Sequence, residues 1–396
     1  VHVTVTGNSQ INGDVEISAS KGDAKEGFSL TLEGGSMTGN IVVDASAQAL
    51  VGEHNKVTKA DNFTKEAPEG FEWVSNGDGT STLAKVQDLF PGHSISLDGN
   101  INLNFYINTN AIPNYANASS VTATFTWDSK ATESDKHYGD DVVVVDLKDN
   151  DHTPDANGWV MAYVPVNAAQ MANQIKAKVY VGDGEALAET DTYSVKEYAE
   201  TIIAGNYNAK TKTLVKEMLN YGAMAQKVFE SQLVDKPAKL ANAGLSAADL
   251  AAIETEMNNV TSAKIIGAVE TTNGHRGATV EQLRAIGTAI GGEWTTTSVI
   301  FLDGNTIRHY FNNVNEKDDF APNTAVQDKW FHYVQKENIA AADLDKLYDF
   351  SIGGESFQYS VLDYAAAVLE SGMGDDAENL AKALYLYNQA ANAYFG

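Results

Sequence analysis

The sequence predicts a multidomain chain, mainly β with α: the terminal coils of a parallel β-solenoid, then two related β-sandwich modules, each followed by a helical hairpin. Three observations predict it. Near the amino terminus a strand-and-glycine layout repeats after 27 residues; period-2 apolar alternation runs through much of the middle of the chain; and blocks of the middle recur near the end. At 396 residues the chain is too long for one ordinary core, and 43% apolar with 20% charged residues is a globular composition.

Residues Val3 to Ile17 and Leu30 to Val43 share one layout: a short alternating strand, a glycine, a polar turn, a glycine and a second β-rich run. Gly7 matches Gly34 and Ser9 matches Ser36, 27 residues apart. A repeat of that length is one turn of a solenoid, in which each turn buries its apolar stripe against its neighbours. Val15, Ile17, Ile41 and Val43 are then the inward candidates. Phe71 to Leu83 reads as a hairpin around Asn76, Gly77, Asp78 and Gly79, suited to cap an open end. Residues 1–90 are therefore expected to be a solenoid end with a capping hairpin.

The rest of the chain matches itself. Leu97-Asp98-Gly99-Asn100 recurs as Leu302-Asp303-Gly304-Asn305, each followed by an aromatic pair, Phe105-Tyr106 and Tyr310-Phe311. Residues 166–175 match 339–348, and Tyr193-Ser194-Val195 matches Tyr359-Ser360-Val361. Leu214, Lys216, Tyr221, Ala225 and Phe229 align with Leu380, Lys382, Tyr387, Ala391 and Phe395 at a constant offset of 166. Strands are expected at residues 94–97, 101–107, 121–127, 142–145, 159–164, 175–181 and 190–193, a pattern of short strands that suggests a sandwich. Two amphipathic helices follow in each copy, turning at Gly205 to Lys210 and at Gly372 to Asp376, with their aromatics on packing stripes. Ser246-Ala247-Ala248-Asp249 starts a linker helix. The expected boundaries are 91–240 for the first module, 241–297 for a linker with short helices, and 298–396 for the shortened second module.

At these residues the chain resembles a module of large surface proteins from anaerobic Gram-positive gut bacteria of the clostridial group. SLDGNINLNFYI, DTYSVKEYAETII, TLVKEMLNYGAMAQKVF, LANAGL, TIRHYFNN, NIAAADLDKLY and ALYLYNQAANAYF look like its recurrent blocks, in its usual order. The resemblance covers about residues 92–396, and the amino-terminal rungs look similar to β-repeats that can precede it. It implies location more than chemistry: such modules sit in exported, cell-surface multidomain chains, and the family offers no catalytic residue to carry over. His137 and the stretch Asp141 to Asp155 match no family block. The start at Val1, inside a predicted strand, reads as an excised or processed piece of a longer chain.

Charge and composition narrow the function. With 53 acidic against 27 basic residues the net charge is −26, which argues against nucleic acid or an anionic membrane as partner. The absence of cysteine removes disulfides, thiolate metal sites and thiol nucleophiles. No run of apolar residues is long enough to insert in a membrane. There is no nucleophile elbow, zinc-protease helix, Walker loop or dinucleotide fingerprint, and the eight histidines are scattered. The chain reads as non-catalytic.

The one local constellation is Asp149, Asp151, Thr153 and Asp155, oxygen-bearing side chains at alternating positions, as calcium loops have them. Pro154 stands where an EF-hand has its turn glycine and Val160 where its bidentate glutamate would be. An exposed Asx-rich turn uses the same residues. Calcium is the only cofactor the sequence suggests. Among the aromatics, Trp127 and Trp159 fall in predicted strands, Trp330 is a further candidate, and Trp294, after Gly291-Gly292-Glu293, is the favoured ligand-contacting residue. The expected role is adhesion, ligand binding or scaffolding by an extracellular or surface protein, with a host glycan or host protein as partner. An immunoglobulin-binding surface protein and a fragment of a carbohydrate-active enzyme are the alternatives.

Overall fold

The computed structural model describes all residues except 1, 19–27, 45, 48–50, 52–54, 87, 129–141, 191, 230–236, 301–305, 313–325 and 328–330. The Leu302 to Asn305 turn, His137, Asp141 and Trp330 thus lie outside the described residues. The chain is mixed β and α, with several separate sheets and seven α-helices among the described residues. It divides into two compact units, residues 1–88 and 89–396.

The first unit consists of β1 (His2–Val5), β2 (Gln10–Ile11), β3 (Val15–Ile17), β4 (Ser29–Leu32), β5 (Ser36–Met37), β6 (Ile41–Val43), β7 (Lys56–Ala60), β8 (Phe71–Ser75) and β9 (Thr80–Lys85). β1, β4 and β7 pair in parallel with partners 27 residues apart, His2 with Ser29 and Ser29 with Lys56. β2 pairs with β5 and β3 with β6, also in parallel. The glycines of the repeat permit this stacking: a Cβ on Gly35, which has φ +92°, would run into the Ser9 carbonyl of the preceding layer. Ile17, Ile41 and Val43 are buried with Leu30, Leu32 and Val57. β8 and β9 form the expected hairpin, with Gly77 and Gly79 at positive φ and Asp78 Oδ1 accepting from Thr80 N. β9 adds antiparallel to β7.

The second unit opens with β10 (Gly92–Ser96), β11 (Asn102–Asn108), β12 (Val121–Asp128), β13 (Val142–Asp146), β14 (Trp159–Pro165), β15 (Gln174–Val181) and β16 (Ala186–Glu189). They form two sheets, β10-β11-β14 and β13-β12-β15-β16. Strict alternation turns Leu103, Phe105, Ile107, Val160, Ala162 and Val164 of one sheet, and Val121, Ala123, Phe125, Ile175, Ala177 and Val179 of the other, into one buried cluster. Phe105 meets Phe125 with ring centroids 5.0 Å apart. The strand expected at 190–193 is displaced: residues 186–189 pair with β15 instead, because Gly182, at φ +61°, closes a tight turn directly after β15. Tyr193 retains only an isolated bridge to Ile175.

Helices α1 (Val195–Ala204) and α2 (Ala209–Phe229) follow, then α3 (Ala247–Asn258), α4 (Ser262–Asn273) and α5 (Val280–Ala289). Next come β17 (Glu293–Ile300), β18 (Thr306–Asn312), β19 (Val326–Gln327) and β20 (Phe331–Lys336), in the order β17-β18-β20-β19. The hairpin β21 (Tyr348–Ile352) and β22 (Glu355–Tyr359) leads into α6 (Val361–Ser371) and α7 (Asp375–Phe395). Ile253, Met257, Ile265 and Leu283, from the segment expected to be a linker, lie in the same buried cluster as Phe105 and Leu384.

α2 and α7 pack together through Tyr221 and Tyr387, both fully buried, with rings stacked at 5.4 Å and 14°. Both hairpins start on the same device. Ser194 Oγ accepts from Glu197 N, and Ser360 Oγ accepts from Asp363 N, satisfying orphan donors of the first turn. Among the described residues no helix is long and apolar enough to cross a membrane.

Candidate functional site

The outer face of β10-β11-β14 combines aromatic surface with fixed hydrogen-bonding groups. Since Val160, Ala162 and Val164 point into the core, Trp159, Met161, Tyr163 and Pro165 of β14 must point away from it. The register sets Asn108 beside Trp159, Tyr106 beside Met161 and Asn104 beside Tyr163. On the other side Ser94 lies beside Asn104 and Ser96 beside Asn102.

These side chains interlock. Asn104 Nδ2 donates to Ser94 Oγ at 3.0 Å, and that hydroxyl lies 3.0 Å from the Tyr106 hydroxyl. Ser96 Oγ donates to Asn104 Oδ1 and accepts from Asn102 Nδ2, both at 3.4 Å. Asn104 is only 2% exposed, so the centre of the ladder is rigid, whereas Met161 and Tyr163 are 43% and 48% exposed. Tyr106 and Trp159 lie with ring centroids 6.2 Å apart, tilted by 50°. Flat aromatic faces can stack on the C–H faces of a sugar while the half-buried Ser94, Ser96, Asn102 and Tyr106, held in place by the buried Asn104, bond its hydroxyls.

The expected calcium stretch supports this face. Asp155 Oδ1 accepts from Trp159 N at 2.8 Å and Asn157 N at 2.9 Å, which fixes the start of β14 and holds its carboxyl below the usual range. Gly158, at φ +77°, brings its carbonyl to Thr109 Oγ1 at 2.8 Å, and Asn110 Nδ2 donates to the Asn157 carbonyl. Asp149 Oδ1 accepts from the backbone N–H of Asp151 and His152 and contacts His152 Nδ1 at 2.6 Å; the histidine bond leads in holding its pKa down. Thr153 Oγ1 reaches back to the Asn150 carbonyl. These oxygens serve Asx-type turns, and no group of three or more acidic or histidine side chains converges as a metal site among the described residues.

Trp294 sits on β17 opposite Phe311, half-buried against the main core, where its Nε1 has no hydrogen-bond partner among the described residues. Gly287 makes room for it, since a Cβ there would strike the Trp294 backbone nitrogen. Trp294 and the ladder around Asn104 belong to different sheets. Trp127 packs inward from β12. Sequence reasoning passed over Tyr106, Met161 and Tyr163. The signal was the alternation of Trp159 to Pro165, which sorts Trp159 and Tyr163 onto one face.

The strongly perturbed groups are interior. His309 is fully buried among Phe350, Phe357 and Tyr359, with Nδ1 2.9 Å from Thr297 Oγ1, and burial lowers its pKa to about 3. Glu217 on α2 is 4% exposed, and burial, reinforced by Glu256, raises its pKa to about 7. Asp363, raised by burial, anchors a separate segment by accepting from Gly277 N at 3.1 Å. Compared with protein-family models, curated proteins and solved structures, the chain matches none.

Proposed function

We propose that the chain is a non-catalytic binding and scaffold segment of a secreted or cell-surface modular protein, and that its ligand is a glycan laid across the outer face of β10-β11-β14. The observation that carries this reading is the ordered row of Ser94, Asn104 and Tyr106 beside the aromatic surface of Trp159 and Tyr163. A rigid frame presenting such a face binds without reorganising. Titratable groups with large shifts, such as His309 and Glu217, are enclosed by packing and do not converge on this face.

The architecture is read in the same terms. The 27-residue parallel register of β1, β4 and β7 supports the end of a β-solenoid. The stacking of Tyr221 on Tyr387, residues aligned at the 166 offset, supports two related β-plus-helical-hairpin modules joined through their second helices. A surface location in a gut bacterium rests on the resemblance of the helix and turn blocks.

The test is an array of host, plant and microbial glycans that also carries immobilised immunoglobulin, probed with the whole chain. Saturable glycan binding is the expected result. Retention on immunoglobulin with no glycan hit would transfer the partner to the host-protein class and overturn the glycan assignment.

A further inference from the structure

A concave site lies along β10 and shares Ser96 with the sheet face. It is a cavity of about 590 Å³ walled by Ile95 and Leu97 of the β10 region, Tyr198 of α1, Tyr207 of the α1–α2 turn, and Tyr394 and Phe395 of α7. The volume is within the ordinary range for small-ligand pockets. Both α7 aromatics align with a packing stripe in the sequence, yet Tyr394 is 41% and Phe395 56% exposed, and Tyr207 is 49% exposed. Large aromatic area left open in one concavity calls for an explanation.

Charge supplies it. Among the described residues of the lining, Asp98 is the one charged side chain and none is Lys or Arg. Ile202 and Phe395, both in the lining, stand near the carboxyl ends of α1 and α7, the ends that carry partial negative charge. At the amino end of α2, Asn208 already supplies a side-chain acceptor: its Oδ1 accepts from Thr211 N at 2.9 Å and from Thr211 Oγ1 at 3.1 Å. The phenols are gathered: burial chiefly, then the nearby Tyr207, Tyr106, Tyr193 and Tyr394, hold Tyr198 above its ordinary pKa. The Tyr207 ring folds back over Gly205, where a Cβ would lie 2.8 Å from its Cε2.

We propose that this cavity is an aromatic cage for an alkylated ammonium head group of the choline type. Ring faces present negative quadrupole to a cation, methyl groups on nitrogen fill apolar space without needing hydrogen bonds, and Asp98 supplies the counter-charge. The rings and Asp98 that carry the proposal lie outside the Asn104 ladder, with which the cavity shares only Ser96, so a failure of glycan binding leaves it intact.

The experiment titrates the whole chain with choline, with its neutral isostere 3,3-dimethylbutan-1-ol, and with phosphatidylcholine vesicles, following the tyrosine ring signals by NMR and vesicle co-sedimentation. The expected result is saturable binding of choline at least tenfold tighter than the isostere, weakened about tenfold by Tyr207→Ala and several-fold by Asp98→Asn, with thermal unfolding of the exposed Asp98→Asn variant unchanged. Co-sedimentation in addition assigns the head group to lipid; choline binding alone assigns it to a soluble or polymer-linked source. Absence of saturation, equal binding of the isostere, or wild-type affinity in both variants overturns the proposal.

Discussion

Two 3-10 turns, Ala168–Gln170 and Ala341–Asp343, lie against α2 and α7 at positions that match in the sequence, and the two helices hold them by opposite means. Beneath the first turn α2 has Gly222, whose missing side chain admits the Ala168 carbonyl: a Cβ there would stand 3.1 Å from that oxygen and 2.7 Å from Met171 Sδ. Beneath the second, at the residue 166 positions on, α7 has Asn388, which donates Nδ2 to the Ala341 carbonyl at 3.0 Å. α2 satisfies the packing by removing atoms and α7 by adding a donor. The docking of turn on helix is what the two contacts share, although different residues make it.

The contact between α2 and α7 should dominate stability. Tyr387→Ala removes a fully buried ring from the α2–α7 stack and is expected to cost about 3–5 kcal/mol, read as a lower denaturant midpoint in equilibrium unfolding. A loss below about 1 kcal/mol would mean that the helices do not depend on each other and would break the comparison at its base.

The next effect separates α2 from α7 by pH. Glu217 lies in α2, while the matching position of α7 is Ala383. Its folded pKa, about 7, exceeds the ordinary value of 4.5. The stability it permits is therefore fully present below about pH 4.5 and is lost as pH rises through about 7, a total of about 3 kcal/mol as an upper figure for so buried a group. Glu217→Gln should abolish that decline between about pH 5 and 8 in a series of urea titrations. An unchanged slope would place the titrating group elsewhere.

Asn388→Ala leaves the Ala341 carbonyl without its donor, and a loss of about 1–2 kcal/mol is expected. Gly222→Ala is subtler, because alanine is the better helix former by about 1 kcal/mol while crowding of the Ala168 carbonyl and Met171 opposes it. A net loss of about 1 kcal/mol would show that close approach outweighs propensity; a net gain would show that the first turn has room to give. Calcium should have the smallest effect, leaving the melting temperature within about 1 °C, since the Asp149 and Asp155 oxygens already accept backbone N–H groups.

Much of this was legible in the residues and some was not, for identifiable reasons. Alternation located β11, β12, β14 and β15, and glycine spacing anticipated the 27-residue parallel register, because both follow from local backbone geometry. The strand expected at 190–193 failed because the Gly182 turn folds the chain back sooner, and turn closure outranks the β-propensity of Thr and Tyr. Trp294 follows two glycines and so reads as a loop residue, but Gly287, seven positions earlier, lets β17 settle against α5 and half-buries it. The stretch from Asp149 to Asp155 has the composition of a calcium loop, and composition does not reveal whether a carboxylate turns to a cation or to its own backbone. The Ser94, Asn104 and Tyr106 ladder was invisible because it exists only across strands, in a register that no single segment contains.

The most direct test of the central claim is to probe the glycan array with wild type and with the Trp159→Ala/Tyr163→Ala double variant side by side, after matching their thermal unfolding. The account predicts saturable glycan binding by wild type and at least a tenfold loss in the double variant. Equal binding by the two proteins would contradict it.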